Sequence, residues 1–330
     1  MASQYRIKRR QFLANLTENG AFTFDLGRGA DIESVMIRIT GTANVTTAGT
    51  AVRAMAPTQL LKRIELIADG KNTICSAPGW FLTKGQKRAQ TGYMLPPTAA
   101  TIAAYSVEMN AILDQALIDG IRPKDSNLRT AGMSLLQLRL TTGALTDLFT
   151  GTPAGSMTVF QCEIVTVETI EQPDEKGNIT RPLYLQKRSY QDIAISASNA
   201  NQQVILPVGN ALRGVTILAT INGEPSNAVV NNVTLASGVD VRVNIPGPAL
   251  QRLGAMDYEP VGMMSNATAW AAASMLPTGM YEVDLMRNGA QDVKVTDAWD
   301  LSRASEAKLV LDVTGGAGYQ ITVVTTEFIQ

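Results

Sequence analysis

The chain has 330 residues, of which 45% are hydrophobic and 17% charged, and its formal net charge at pH 7 is −1. This length suits about two domains with separate cores, and the near-neutral charge argues against a dedicated nucleic-acid binder, which is usually strongly basic. The sequence has no histidine and two cysteines, which excludes histidine-based catalytic triads, removes the commonest metal ligand and leaves no disulfide framework.

The chain opens with a basic cluster, and no acidic residue precedes Glu18. The cluster consists of Arg6, Lys8, Arg9 and Arg10. A second Lys-Arg pair, Lys187-Arg188, opens the second half of the chain. One interpretation is a basic surface that contacts anionic lipid headgroups or nucleic acid. The other is a solvated edge or a salt-bridge site between subunits.

The beginning of the sequence lacks the apolar core of a signal peptide, and no run approaches the roughly 18 apolar residues that span a bilayer. We therefore expect synthesis in the cytoplasm and a chain that is soluble or assembles there. Short runs of alternating apolar residues follow at 22–29 and 32–41, and they align with 204–210 and 212–223. Alternation over such short runs predicts half-buried strands, and the second set ends on Asn-Gly, a hairpin signal.

The next segment also occurs twice, because Ile67–Leu82 aligns without gaps on Leu235–Leu250. The shared pairs are Ala68/Ala236, Gly70/Gly238, Pro78/Pro246, Gly79/Gly247 and Leu82/Leu250. The pattern predicts a strand, a tight turn, a second strand and a Pro-Gly corner that ends it. We expect short helices over 81–90 and 249–258. The first would carry Lys84, Lys87 and Arg88, either as a basic ligand site or as a solvated helix face.

Matching strands begin at Tyr105 and Tyr281, and again at Leu135 and Lys308. Between them lie long connections, 110–132 and 286–305, in which we expect the two halves to diverge. The apolar stretch 269–276 fits a buried helix or a subunit contact, with a membrane contact as the alternative.

Each half closes on the same segment, Phe160–Glu171 in the first and Tyr319–Gln330 in the second. The identical pairs are Gln161/Gln320, Val165/Val324, Thr166/Thr325, Glu168/Glu327 and Ile170/Ile329. Both copies are rich in Val, Ile and Thr, which predicts a half-buried strand written twice. Repeated blocks in the same order indicate an internal duplication. We predict domains at 1–172 and 183–330, joined by a polar linker at 173–182.

Motifs that carry chemistry are missing from the sequence, which contains no phosphate-binding loop, CxxC pair or HExxH. Cys75 and Cys162 align with apolar strand positions and are expected to act as small hydrophobic residues. Glu168 and Glu327 suggest a glycosidase that uses two carboxylates in one cleft. They are, however, the same position in the two copies of the repeat, so a shared catalytic cleft would be a coincidence. We predict no catalytic, cofactor-binding or metal site and hence no enzyme.

These elements predict an all-β fold of two tandem jelly-roll β-sandwiches that arose by duplication, with short helices in the connections. The chain resembles the double jelly-roll major capsid proteins of tailless icosahedral viruses with an internal membrane, the corticovirus and tectivirus type. The resemblance rests on the two similar halves of the chain and on features that both contain or share in position. These are the Lys-Arg pair at the start of each half (Lys8-Arg9 and Lys187-Arg188), the strand segment that ends on Asn-Gly at Gly223, and the closing strands that end at Glu171 and Gln330.

The resemblance implies a structural building block of a bacteriophage virion that is synthesised in the host cytoplasm. It also implies that the chain forms homotrimers of six-lobed outline. These pseudo-hexameric capsomers would contact neighbouring capsomers, penton and minor capsid proteins and lipids of the internal membrane, with no cofactor and no small-molecule substrate. The alternative from another class is a viral spike or a carbohydrate-binding adhesion protein made of two β-sandwiches. Clustered aromatic residues would favour that alternative, yet aromatic residues are 5% of the chain.

Overall fold

The computed structural model describes residues 4–46, 50–83, 104–116, 126–171, 183–257, 278–286 and 295–329. Among these residues the chain divides into two compact units, the first ending at Lys187 and the second beginning at Arg188. Three of the sequence predictions lie outside the described residues: the linker at 173–182, the basic residues Lys84, Lys87 and Arg88, and the apolar stretch 269–276. The domain limits 1–172 and 183–330 stay predictions. Within the described parts, no helix is long and apolar enough to cross a bilayer.

The first unit is built from strands of 5 to 17 residues, with two short α-helices and a 3₁₀ turn at Ala56–Leu60. In chain order its elements are β1 (Gln4–Asn15), β2 (Ala21–Asp25), β3 (Asp31–Val45), β4 (Leu61–Ala68), β5 (Asn72–Ala77), α1 (Gly79–Thr83), β6 (Ala104–Asp114), β7 (Leu136–Thr142), α2 (Leu145–Leu148) and β8 (Gly155–Glu171).

The strands of this unit form a sandwich of two antiparallel layers. One layer has the order β1-β8-β3-β6, and the other contains β5-β4-β7-β2. Along β3 every second residue is fully buried, as at Val35, Ile37 and Ile39, because successive side chains of a strand point to opposite faces. On the other layer Ile64 and Leu138 are equally buried. The apolar core therefore lies between the layers.

The second unit has the same kinds of element, with a 3₁₀ turn at Val295–Asp297. Its elements are β9 (Leu185–Ala194), which contains the boundary between the units, β10 (Asn199–Ile205), β11 (Ala211–Ile221), β12 (Glu224–Pro225), β13 (Val230–Ser237), β14 (Asp240–Pro246), α3 (Gly247–Asp257), β15 (Met280–Asp284), β16 (Trp299–Asp300), β17 (Lys308–Val313) and β18 (Tyr319–Ile329).

The strand order of the second unit repeats that of the first. One layer contains β9-β18-β11, with β16, β15 and β12 following one another along the other edge of β11, and the second layer is β10-β17-β13-β14. Strand for strand, β1 corresponds to β9, β8 to β18, β3 to β11 and β6 to β15, and the other layers correspond in the same way. The predicted fold of two duplicated jelly rolls is confirmed.

The closing strands β8 and β18 take the same place, each hydrogen-bonded between the first strand of its unit and the long strand β3 or β11. In β8 buried residues alternate with partly exposed ones from Gln161 to Glu168, as predicted for a half-buried strand. In β18 every residue from Ile321 to Phe328 is buried. The prediction of a half-buried strand is therefore wrong for β18, which is covered on both faces.

The repeated Pro-Gly corner marks a close approach of two backbone segments. A Cβ at Gly79 would lie 2.4 Å from the carbonyl oxygen of Leu61, and a Cβ at Gly247 would lie 2.6 Å from the carbonyl oxygen of Val230. Leu61 and Val230 are the first residues of β4 and β13, so each corner packs α1 or α3 against the start of the equivalent strand. Both helices begin at the glycine itself, two residues before the predicted starts.

The two long connections are more alike than the sequence suggested. The first was predicted to begin at 110, but β6 continues to Asp114. Its later part pairs with the start of β3, since Leu128 and Ile32 exchange backbone hydrogen bonds of 2.8 and 2.9 Å. Leu301 makes the corresponding contact with the start of β11, because its N–H donates to the Asn210 carbonyl at 3.0 Å. In the described residues the ends of the two connections are therefore alike, which corrects the expectation that the halves diverge throughout 110–132 and 286–305.

Candidate assembly surfaces

The predicted basic cluster lies on β1, which is the end strand of its layer. Its four members Arg6, Lys8, Arg9 and Arg10 are all exposed, and the side chains of Arg6, Arg9 and Arg10 are 61%, 53% and 63% exposed. The strand therefore presents a row of cationic groups to solvent along an edge of the first sandwich.

Three of these cations are held by acidic residues of the same sandwich, whereas the salt-bridge interpretation placed the partners on another subunit. Arg6 Nε lies 2.8 Å from Glu33 Oε2, and Arg9 Nη2 lies 3.9 Å from Glu168 Oε2. Both glutamates are buried, so the arginines partly neutralise carboxylates that the fold has removed from water. Lys8 contacts no acidic group of the described residues.

The third arginine begins a line of alternating charge that crosses all four strands of the layer. Arg10 Nη1 lies 3.6 Å from Glu163 Oε1 on β8, and Glu163 Oε2 lies 3.5 Å from Arg38 Nη1 on β3. Arg38 Nε then donates to Glu108 Oε1 on β6 at 2.9 Å. The glutamates raise the pKa of Arg38 through the hydrogen bond and charge of Glu108 first and those of Glu163 second. The outer face of this layer is thus polar and internally paired.

Glu168 is the centre of a buried polar cluster inside the first sandwich. The side-chain amide of Gln11 donates to Glu168 Oε1 and to Thr166 Oγ1, both at 2.9 Å, and the Thr166 hydroxyl donates to the same carboxylate oxygen at 2.6 Å. Gln11 reaches this position because β1 has a bulge between Arg10 and Phe12, and a bulge re-aims the extra side chain. A buried carboxylate with several donors is satisfied rather than poised for chemistry.

The second sandwich repeats this arrangement with different donors. Thr325 and Glu327 are buried like Thr166 and Glu168, and the Asn210 side-chain amide donates to Glu327 Oε2 at 2.7 Å. Thr325 Oγ1 lies 2.8 Å from the Ser189 hydroxyl. The shared Thr-x-Glu sequence is therefore a structural element of each jelly roll.

The remaining candidate groups have structural surroundings. Cys75 and Cys162 are fully buried, and burial raises the pKa of the Cys162 thiol to about 12, with a smaller contribution from the charge of Glu163. Both therefore behave as the small hydrophobic residues that were predicted. Hydrogen bonds from the side chain and backbone of Ser134 lower the pKa of Asp69 and tie the β4–β5 turn to the start of β7. The described residues contain no group of three or more Cys, Asp or Glu placed to hold a metal ion.

Comparisons with solved structures match the whole chain to viral capsid proteins. The crystal structure of the major capsid protein of STIV, the Sulfolobus turreted icosahedral virus, matches with a TM-score of 0.68 at 15% identity, over 99% of this chain and 97% of that one. The major capsid protein P2 of bacteriophage PM2 matches with a TM-score of 0.60 at 12% identity, over 99% and 98%. The PBCV-1 virus capsid matches with a TM-score of 0.62 at 11% identity, over 99% and 94%.

No family model and no curated protein sequence matches this chain. The similarity is therefore one of fold, because the sequence identities of 11–15% are too low for a sequence comparison to detect. It extends over both jelly rolls and nearly the full length of each matched capsid protein. The chain has the double jelly-roll fold found in viral major capsid proteins.

Proposed function

We propose that this protein is the major capsid protein of an icosahedral virus, a structural building block of the virion shell. The observation that carries the proposal is the pair of equivalent jelly rolls in one chain, which matches capsid proteins from end to end. The proposed role is structural and needs no catalytic residue, cofactor or small-molecule substrate.

The capsomer is a homotrimer in this proposal. Three copies of a chain with two similar lobes give six lobes around a threefold axis, and such a pseudo-hexamer tiles a nearly hexagonal lattice. A threefold ring is a closed heterologous assembly, and its closure prevents growth into a fibre. The further partners in the shell are neighbouring capsomers, penton and minor capsid proteins and the lipids of an internal membrane.

The exposed apolar side chains favour this role over sugar binding. Among the described residues, the large hydrophobic side chains that are exposed are all aliphatic, for example Leu13, Val159 and Leu183. Sugar-binding surfaces use exposed aromatic rings as stacking platforms, and none of the aromatic side chains whose burial the structure describes belongs to the exposed class. The adhesion alternative therefore gains no support from these residues.

Native mass spectrometry and negative-stain electron microscopy of the purified full-length chain test the proposal. We expect trimers at micromolar concentration, and hexagonally packed sheets or shells as the concentration rises. A chain that stays monomeric at every concentration, with no lattice in the micrographs, would overturn the capsid function.

A further inference from the structure

The end of β6 and the returning end of the first long connection meet at the start of β3, inside the first unit. Directly after β6, the Gln115 N–H donates to the Glu33 carbonyl at 2.8 Å. The chain later returns to the same strand, where Leu128 pairs with Ile32. The Ser126 hydroxyl donates to the Gln115 carbonyl at 2.7 Å. The two segments are therefore fastened both to β3 and to each other.

Two amide side chains at this junction are buried without hydrogen-bond partners among the described residues. Gln115 is 0% exposed, and neither its Nε2 nor its Oε1 has a partner. Asn127 is 3% exposed, and its Oδ1 has no partner. In water an amide side chain forms hydrogen bonds through both its oxygen and its NH₂ group. Burial removes these bonds, and the loss destabilises the fold unless another group replaces them.

The equivalent position in the second jelly roll is apolar. Gln115 corresponds to Leu285, because each residue directly follows its strand, β6 or β15, and donates its N–H to the neighbouring long strand. The acceptors are the Glu33 carbonyl at 2.8 Å and the Arg213 carbonyl at 2.9 Å. Leu285 packs against the core of the second sandwich. The duplicated fold thus accepts a leucine here, and the buried amide of Gln115 is not a requirement of the fold.

The chemistry of the three atoms without partners indicates the class of ligand. Gln115 Oε1 and Asn127 Oδ1 are acceptors, whereas Gln115 Nε2 is a donor. A metal cation binds oxygen atoms but cannot accept a hydrogen bond from an NH₂ group, and an anion satisfies only the donor. Water donates and accepts, and a buried water typically makes about three hydrogen bonds to polar groups that otherwise have no partner.

We propose that bound water molecules occupy this junction and are held by the side chains of Gln115 and Asn127. The waters complete the hydrogen bonds of both amides and link the end of β6 to the segment 126–128. The first jelly roll therefore contains a hydrated joint at the position where the second has the apolar packing of Leu285.

A crystal structure of the unmodified full-length chain, at a resolution that shows ordered water, tests the identity of the ligand. We expect water peaks about 2.7–3.2 Å from Gln115 Nε2, Gln115 Oε1 and Asn127 Oδ1. An empty junction, or protein atoms that bond to all three, would overturn the proposal. A peak with an anomalous signal and oxygen ligands at about 2.3–2.6 Å would overturn it in favour of a calcium ion.

Leucine variants test the site in solution through the exchange of the Leu128 amide hydrogen, which is bonded to the Ile32 carbonyl at 2.9 Å. Gln115→Leu removes one end of the hydrated link and leaves Asn127 and its waters without their partner. We expect the protection of the Leu128 amide to fall roughly tenfold. In an empty junction the same change would remove an amide that bonds to nothing and would raise the protection. A rise would therefore overturn the proposal.

The double variant Gln115→Leu/Asn127→Leu removes both ends of the link. Replacement of both partners by apolar groups can be nearly neutral, so we expect protection to recover towards that of the unmodified chain. If the losses of the two single variants add instead, the amides do not share a site and the proposal is overturned.

The matched control is Leu285→Gln, which places an amide at the equivalent position of the second unit. This variant should lower protection in the second unit, because the amide enters apolar packing, and leave the protection of Leu128 unchanged. Equal Leu128 protection in Gln115→Leu and Leu285→Gln would overturn the proposal.

Discussion

Glu168 and Glu327 occupy the same position in the last strands of the two sandwiches, and both carboxylates are buried. Each accepts a hydrogen bond from a side-chain amide of another element, Gln11 in the first unit and Asn210 in the second. The duplication has thus preserved a buried polar position while replacing its donor. Such a position stabilises the fold only as long as the donors and the acceptor are both present.

Removing either carboxylate should destabilise its own sandwich. We expect Glu168→Ala to lower the free energy of unfolding of the first sandwich by about 1–3 kcal/mol, because the Gln11 amide and the Thr166 hydroxyl lose a buried acceptor. Glu327→Ala should have an effect of similar size on the second sandwich. Hydrogen exchange followed by mass spectrometry measures the two units separately.

The matched control for these variants is Glu163→Ala, on the outer face of the same strand β8. Its ion pairs with Arg10 and Arg38 are at the surface, so we expect a loss of about 0–1 kcal/mol. Equal losses for Glu163→Ala and Glu168→Ala would contradict the structural role of the buried cluster.

The two corner glycines should respond alike to a methyl group. Gly79→Ala and Gly247→Ala each force a Cβ against a backbone carbonyl oxygen, of Leu61 and Val230 respectively, and backbone atoms cannot move aside as a flexible side chain can. We expect a loss of about 1–3 kcal/mol in each case, measured as lowered protection of the corresponding sandwich in hydrogen exchange. A tolerated alanine at one corner and not at the other would show that the two corners are not equivalent.

The last strand should be essential for the second sandwich. Ile321 is fully buried and pairs with Ala219 on β11, so Ile321→Ala should cost about 2–5 kcal/mol. Deletion of residues 319–330 removes the centre of a layer and should unfold the second unit, since a domain holds only about 5–15 kcal/mol in total.

Limited proteolysis checks both variants, and Cys162→Asp tests the equivalent burial in the first sandwich by placing a charge at a fully buried position. A truncated chain whose second unit keeps its protease resistance and loses only assembly would contradict the role assigned to β18.

The contact of the basic cluster with an anionic membrane stays a prediction. If Arg6, Lys8, Arg9 and Arg10 face such a surface, each contributes about 1 kcal/mol, and the effect fades within a Debye length. Replacement of all four by Gln should then weaken co-flotation with vesicles containing anionic lipid at low salt, relative to neutral vesicles. Unchanged flotation would assign the cluster to its ion pairs alone.

The repeated segments are what made the fold predictable from the sequence. The Pro-Gly corner at Gly79 and Gly247 and the Thr-x-Glu of the closing strands fall at the same place in both sandwiches, because both are constrained by packing inside each unit. The similarity between the ends of the long connections was missed, although Leu128 and Leu301 stand at the same spacing before Leu136 and Leu309.

Other features needed the strand register. Arg10, Glu163 and Arg38 stand far apart in sequence, and only the pairing of β1, β8 and β3 places their charges in one line. The sequence contains a weak indication that both faces of β18 are buried. At the outward position where β8 has the charged Glu163, β18 has the uncharged Thr322. The alternation of apolar residues along a strand shows which face of the strand points to the core of its own sandwich. It does not show whether the opposite face is also covered.

Cryo-electron microscopy of the purified full-length chain tests the central claim most directly. The capsid account predicts class averages with a threefold axis and six lobes of similar size, each resolved as a jelly roll. Single two-lobed particles, or a dimer with twofold symmetry, would contradict it.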